Sequence, residues 1–146
     1  MIPRNMRIDF REAELHWSKS NPPYATATNG GSVGATAFEP YLNKVMAIAR
    51  DRLGGRNPAL ERDINLFIAQ EGHHYRIHRA LNKRLYEAYP RIREFEEELE
   101  NELRVQFATR SFEYNLAYCV GFENFACYVS KFVYARSLSD FARADN

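Results

Sequence analysis

The chain has 146 residues, which is enough for one domain with a buried core, and we expect a single domain over residues 1–146. It carries 20 basic and 19 acidic side chains, so its charge gives no reason to expect binding to nucleic acid or to an anionic membrane. No signal peptide or membrane span is predicted, and Cys119 and Cys127 form neither a disulfide framework nor a CxxC zinc motif, which predicts a reducing, cytoplasmic setting.

The first predicted helix follows a segment rich in residues that break helices. Residues 18–34 combine prolines, glycines, serine, threonine and asparagine, so we expect an irregular N-terminal arm over residues 1–36. Apolar residues at helical spacing then predict a helix from about Ala37 to Leu53, which ends at Gly54-Gly55.

Three further helices are predicted along the rest of the chain. Asn57-Pro58 is a cap and first-turn pair, so a long second helix should begin there and end before Pro90. The charged stretch from Arg91 to Leu103 has a narrow apolar seam (Ile92, Phe95 and Leu99) and reads as a solvated connecting helix without chemistry. A last helix should span Ser111 to Leu138. The predicted class is all-α, with three long core helices plus a charged connecting helix.

One face of the second helix carries ligand-type side chains. Glu71, His74, His78 and Asn82 are spaced i, i+3, i+7 and i+11, and at about 100° per residue they fall within roughly 80° of one another. Glu-x-x-His on an inward face is how carboxylate-bridged metal sites in helical bundles take two ligands from one helix. An exposed Glu–His pair, or histidines hydrogen-bonded within a core, is the alternative, but four polar residues on an apolar stripe favour a metal site.

Two acidic residues on other helices are candidate partners for that face. Glu123 is aligned with apolar residues of the last helix, where an unpaired charge would be unfavourable. Glu39 lies at the edge of the apolar face of the first helix, although an acid favoured by the helix dipole in the first turn explains it equally well.

The run Gln70-Glu71-x-x-His74-x-x-x-His78-x-x-x-Asn82, with His16-Trp17 and Asn21-Pro22 ahead of the first helix, resembles a bacterial family named predicted metal-dependent hydrolases. That family is related to ferritin-like proteins, so the resemblance implies a ferritin-like helical bundle. It also implies that the family's glutamates on the first and third core helices correspond to Glu39 and Glu123.

This sequence departs from the family pattern at two points. Asn124 stands where the family commonly has a histidine, which should affect the surroundings of a metal more than its ligands. The family's second Glu-x-x-His should follow Glu123 by several tens of residues, but the sequence ends at Asn146 without it. We therefore expect an incomplete site, a single metal, or a site completed by a second chain.

Together these patterns predict a metal-dependent enzyme that acts on a small molecule by hydrolysis or by di-iron-type oxidation. The predicted metal ligands are Glu39, Glu71, His74 and Glu123, with His78 as a substitute ligand. Iron is the preferred metal, with manganese and zinc as alternatives. The competing interpretation is a non-catalytic helical interaction module, or a shortened paralogue that has lost a complete site. A homo-oligomer or a second chain that completes the bundle is expected under both.

Overall fold

Four α-helices form most of residues 2–131, which are the residues that the structure, a computed structural model, describes. The helices are α1 (Pro22–Leu53), α2 (Pro58–Ala88), α3 (Arg91–Thr109) and α4 (Phe112–Val129). No strand occurs between residues 2 and 131, so the all-α prediction is confirmed. The predicted continuation of the last helix to Leu138 lies outside the described residues.

Local capping explains most of the helix ends. Gly54 ends α1 with φ of 57°, a left-handed conformation that suits glycine. The side chain of Asn57 accepts a hydrogen bond from the backbone N–H of Leu60 at 3.1 Å, and Ser111 caps α4 in the same way. These ends agree with the predicted ones, whereas α3 continues six residues beyond the predicted Leu103.

The prediction of an irregular segment over residues 18–34 is wrong from Pro22 onward. The Asn21 side chain accepts a hydrogen bond from the backbone N–H of Tyr24 at 3.2 Å, and Pro22 follows as the first helical residue. Ala25 and Val33 are fully or almost fully buried, so packing stabilises this half of α1 despite its glycines. The irregular arm therefore ends at Asn21 rather than at residue 36.

The charged stretch forms a largely exposed helix, as predicted, but it also packs against the bundle. α3 packs against α1, and α1 contacts each of the other three helices. The inward face of α3 carries Glu96, which is 3 % exposed, whereas Phe95 of the predicted apolar seam is 53 % exposed. The helix therefore buries a carboxylate against the bundle.

The hydrophobic core forms where α1 meets α4. Phe38, Tyr41, Leu42 and Val45 of α1 and Cys119 of α4 are buried together. Partly buried side chains of α2, α3 and α4 pack against them, including Phe67, Leu103 and Leu116. None of the helices among the described residues has an apolar stretch long enough to cross a membrane.

Candidate metal centre

Glu39 is a buried carboxylate near the middle of α1. It is 3 % exposed, and it lies about five turns from the N-terminus of α1. The interpretation of Glu39 as a first-turn acid stabilised by the helix dipole is therefore wrong. Burial raises the pKa of Glu39, and the hydrogen bond with His74 opposes that shift. Its Oε2 atom is buried and has no hydrogen-bond partner among the described residues.

His74 of α2 lies between two carboxylates. Its Nδ1 atom is 2.6 Å from Oε1 of Glu39 and 3.6 Å from Oε2 of Glu71. Hydrogen bonds with Glu39 first and Glu71 second raise the pKa of His74 to about 10. The imidazole therefore holds both of its protons at neutral pH and donates one to Glu39.

His78 lies one turn further along α2 and faces His74. The Nε2 atoms of the two rings are 2.9 Å apart, and the rings meet edge to face with centroids 4.4 Å apart. Burial, and then the charge on His74, lower the pKa of His78 to about 4, so this imidazole is neutral. Glu39, His74 and His78 each offer one nitrogen or oxygen atom, and these atoms all lie within 4.8 Å of one another.

Glu71 and Glu123, the other two predicted ligands, lie beside this group of three. Burial first, then the charges of Glu71 and Glu39, raise the pKa of Glu123, while His74 opposes the shift. The carboxylates of α1, α2 and α4 therefore approach one another closely enough to interact. A bound cation would stabilise the ionised forms of these carboxylates.

Glu123 also lines a cavity of about 220 Å³ between α1, α2 and α4. The remaining lining residues are mostly apolar or weakly polar: Leu42, Met46, Phe67, Cys119, Val120 and Asn124. Burial, and then the charge of Glu123, raise the pKa of the Cys119 thiol to about 12, so this sulfur stays protonated. A protonated thiol is a poor metal ligand, and the cavity wall is therefore largely unreactive apart from Glu123.

The donor atoms of Glu39, His74 and His78 suit a divalent metal ion. Carboxylate oxygen and imidazole nitrogen are ligands that iron, manganese and zinc accept. The unpartnered Oε2 of Glu39 is a buried acceptor that a cation would satisfy. The residues that are present thus fit a metal.

The sequence did not predict the side chains that lie beside His78 on the side away from His74. The Nδ1 atom of His78 is 2.8 Å from the Ser32 hydroxyl, which in turn donates to Asn82 at 2.7 Å. Ser32 lies in the segment that was predicted to be irregular, so no helical face was assigned to it. Asn82 shares the predicted face of α2 but bonds to α1 instead of joining the group of three donors.

The other residues that carry the family resemblance have structural roles. Asn21 caps α1, and the Gln70 side chain accepts a hydrogen bond from the backbone N–H of Arg4 at 2.7 Å. His16 contacts the Tyr89 hydroxyl at 2.8 Å. The contacts of Gln70 and His16 attach the N-terminal arm to α2 and to Tyr89 at its C-terminal end.

In this helical bundle, carboxylates and imidazoles from neighbouring helices lie close together. That arrangement is typical of helical-bundle proteins with a metal centre between their helices. Comparison with known families agrees with that class. The family model for predicted metal-dependent hydrolases matches residues 2–145, and the chain belongs to this family. Comparison with curated proteins and with solved structures gave no match.

Proposed function

We propose that this protein is a metal-dependent enzyme whose divalent metal is held by Glu39, His74 and His78. The observation that carries the proposal is the buried Glu39 carboxylate, which has one oxygen against His74 and the other without a partner among the described residues. An unpaired buried acceptor is unfavourable, and a metal ion would satisfy it. Glu71 and Glu123 would then either bind the metal as well or contact the residues that bind it.

The reaction that we propose is hydrolysis of a small molecule in the cavity beside Glu123. The metal would supply a Lewis acid that makes water more acidic. Burial raises the pKa of Glu123, which makes this carboxylate a better proton acceptor than an exposed one, so it would take the proton from water. Leu42, Met46 and Phe67 line the same cavity and would bind an apolar part of the substrate.

Oxidation by dioxygen is the alternative chemistry for the same residues. Iron is the metal that we favour, because carboxylate and imidazole ligands suit it and because the family resemblance implies a ferritin-like bundle. Uptake of dioxygen by protein loaded with Fe²⁺, compared with cleavage of small esters by the same sample, separates oxidation from hydrolysis.

Metal content tests the proposed function directly. The protein as purified, or after incubation with iron, manganese or zinc salts, should hold close to one metal ion per chain by elemental analysis. His74→Ala should lose most of it. His73→Ala is the matched control, because His73 is the preceding residue on α2 but contacts Arg76 rather than Glu39. A wild-type content below about 0.2 metal per chain after every incubation would show that the proposal is wrong.

A non-catalytic role as an interaction module remains the second candidate function. It is favoured by apolar side chains that are exposed on one chain: Phe125 is 65 % and Val120 53 % exposed on α4, and Val105 is 47 % exposed on α3. Apolar surface of this kind is typical of association between subunits. Light scattering after size exclusion would report a dimer if this surface is covered by a second copy.

The free thiols of Cys119 and Cys127 are in keeping with a reducing, cytoplasmic setting.

A further inference from the structure

A continuous path of buried hydrogen bonds leads from His78 to α3. Asn82, which has no exposed surface, is at its centre and donates from Nδ2 to the Thr36 hydroxyl at 2.9 Å and to the backbone carbonyl of Ser32 at 3.3 Å. Its Oδ1 atom accepts from the Ser32 hydroxyl at 2.7 Å. Thr36 in turn donates to the Glu96 carboxylate. The path therefore connects α2, α1 and α3.

The direction of these hydrogen bonds is fixed by groups that can only accept. Thr36 has one hydroxyl hydrogen, and its acceptors are the Glu96 carboxylate and the Val33 carbonyl at 2.9 Å. Whichever of the two it uses, Thr36 has no hydrogen left for Asn82. The amide of Asn82 must therefore present its NH₂ to Thr36 and to the Ser32 carbonyl. Its oxygen then faces the Ser32 hydroxyl.

The same accounting determines which nitrogen of His78 carries the proton. The single hydroxyl hydrogen of Ser32 goes to Asn82, so the Ser32 oxygen can only accept from His78. The Nδ1 atom of His78 must therefore carry a hydrogen and donate it to Ser32. The Nε2 atom of His78, 2.9 Å from Nε2 of His74, is then the nitrogen that can offer a lone pair to a metal on the side of the candidate metal centre.

We propose that Ser32 and Asn82 are positioning residues that hold the His78 ring with a hydrogen on Nδ1, so that Nε2 is the atom that binds metal. The proposal rests on the proposed function, because it assigns a role at the same metal centre. Metal-binding histidines commonly donate their second N–H to a neighbouring acceptor, which fixes the ring and its tautomer. Ser32 supplies that acceptor, and Asn82 prevents its hydroxyl from acting as a donor.

The tautomer can be measured without any metal. In metal-free protein with ¹⁵N-labelled histidine, long-range ¹H–¹⁵N spectra should show His78 protonated at Nδ1, with the resonance assigned by its loss in His78→Gln. Ser32→Ala removes the acceptor and should convert His78 to a mixture of tautomers. Thr28→Ala is the matched control, because it removes a hydroxyl one turn earlier on α1 that, among residues 2–131, bonds to the backbone carbonyl of Tyr24 and not to His78. It should leave the tautomer of His78 unchanged.

Binding of Zn²⁺ by calorimetry gives the second readout. Ser32→Ala should weaken the affinity by about 10- to 100-fold, as is typical when the outer partner of a metal-binding histidine is lost. Asn82→Leu should weaken it similarly. Asn82→Asp keeps an acceptor for the Ser32 hydroxyl, so it should preserve the tautomer and restore most of the affinity even if it lowers stability. If Asn82 only stabilised the fold, Asn82→Asp would not restore the Zn²⁺ affinity that Asn82→Leu loses.

The two proposals fail in different ways. If wild-type protein binds none of iron, manganese and zinc, the proposed function is wrong and the role of His78 as a ligand falls with it. If wild-type protein binds Zn²⁺ while Ser32→Ala binds it equally tightly with His78 still protonated at Nδ1, the positioning role alone is overturned. Protonation of wild-type His78 at Nε2 would overturn it as well.

Discussion

Glu96 offers a stringent test of how α3 is attached to the bundle. Replacing it with alanine removes the carboxylate that accepts hydrogen bonds from Thr36 and Tyr86 and that lies 3.7 Å from Arg79. Hydrogen bonds to a charged group contribute about 1.5–3 kcal/mol each. Burying the carboxylate is itself unfavourable and offsets part of this gain. We therefore expect Glu96→Ala to lower the free energy of unfolding by about 3 kcal/mol, a large part of the roughly 5–15 kcal/mol of an ordinary domain.

Glu97 is the matched control for this experiment because it is the next residue on the same acidic helix. Its carboxylate pairs with Arg93 at 3.3 Å, and both side chains are mostly exposed, so Glu97→Ala should change stability by less than about 0.5 kcal/mol. Urea unfolding of the metal-free proteins, followed by circular dichroism, measures both variants. If the two differ by less than about 0.5 kcal/mol, Glu96 does not anchor α3.

Two further predictions concern His74 and the N-terminal half of α1. Because its hydrogen bonds with Glu39 and Glu71 raise the pKa of His74 to about 10, metal must displace a proton, and the apparent affinity for Zn²⁺ should rise by about tenfold per pH unit between roughly pH 6.5 and 8. For the same reason the stabilising contribution of His74 to the metal-free protein is complete below its unfolded pKa of about 6.5 and is lost as the pH rises through 10. An affinity independent of pH would contradict this proton displacement. Gly30→Ala should raise the free energy of unfolding by about 0.5–1 kcal/mol, and with it the melting temperature, because an added Cβ there has no atom within 4 Å. Gly54→Ala should lower the melting temperature, because Gly54 has a φ of 57°. Equal shifts of the two melting temperatures would argue against the helix at Gly30.

The start of α1 shows where local sequence signals conflict. Asn21-Pro22 is the same cap and first-turn pair as Asn57-Pro58, which correctly predicted the start of α2. The glycines of residues 30–34 outweighed that signal in the sequence, since each lowers helix propensity by about 1 kcal/mol. Burial of Val33 and its neighbours against the other helices overcomes that penalty. Such packing depends on residues far away in the chain, so it cannot be read from the segment itself.

The ligand face of α2 was predictable, but the side chains that complete the polar path were not. Helical spacing alone identified Glu71, His74 and His78, because one period relates all three. Glu96 gave no comparable signal, since it stands in a run of glutamates that alternate with few apolar residues. The only indication is its register with Ile92 and Leu99 at i−4 and i+3, which places a carboxylate on the buried face of α3.

α3 therefore has an indirect part in the candidate metal centre, although it supplies none of the candidate ligands. The group of three donors comes from α1 and α2, and Glu123 on α4 lies near them. Glu96 is an acceptor on α3 for the Thr36 hydroxyl, and together with the Val33 carbonyl it leaves the Asn82 amide only one way to bond. Because the backbone carbonyl of Ser32 imposes the same orientation on Asn82, removing Glu96 should weaken the packing of α3 more than it disturbs His78. The stability of α3 and the tautomer of His78 are thus separable, and Glu96→Ala should change the first much more than the second.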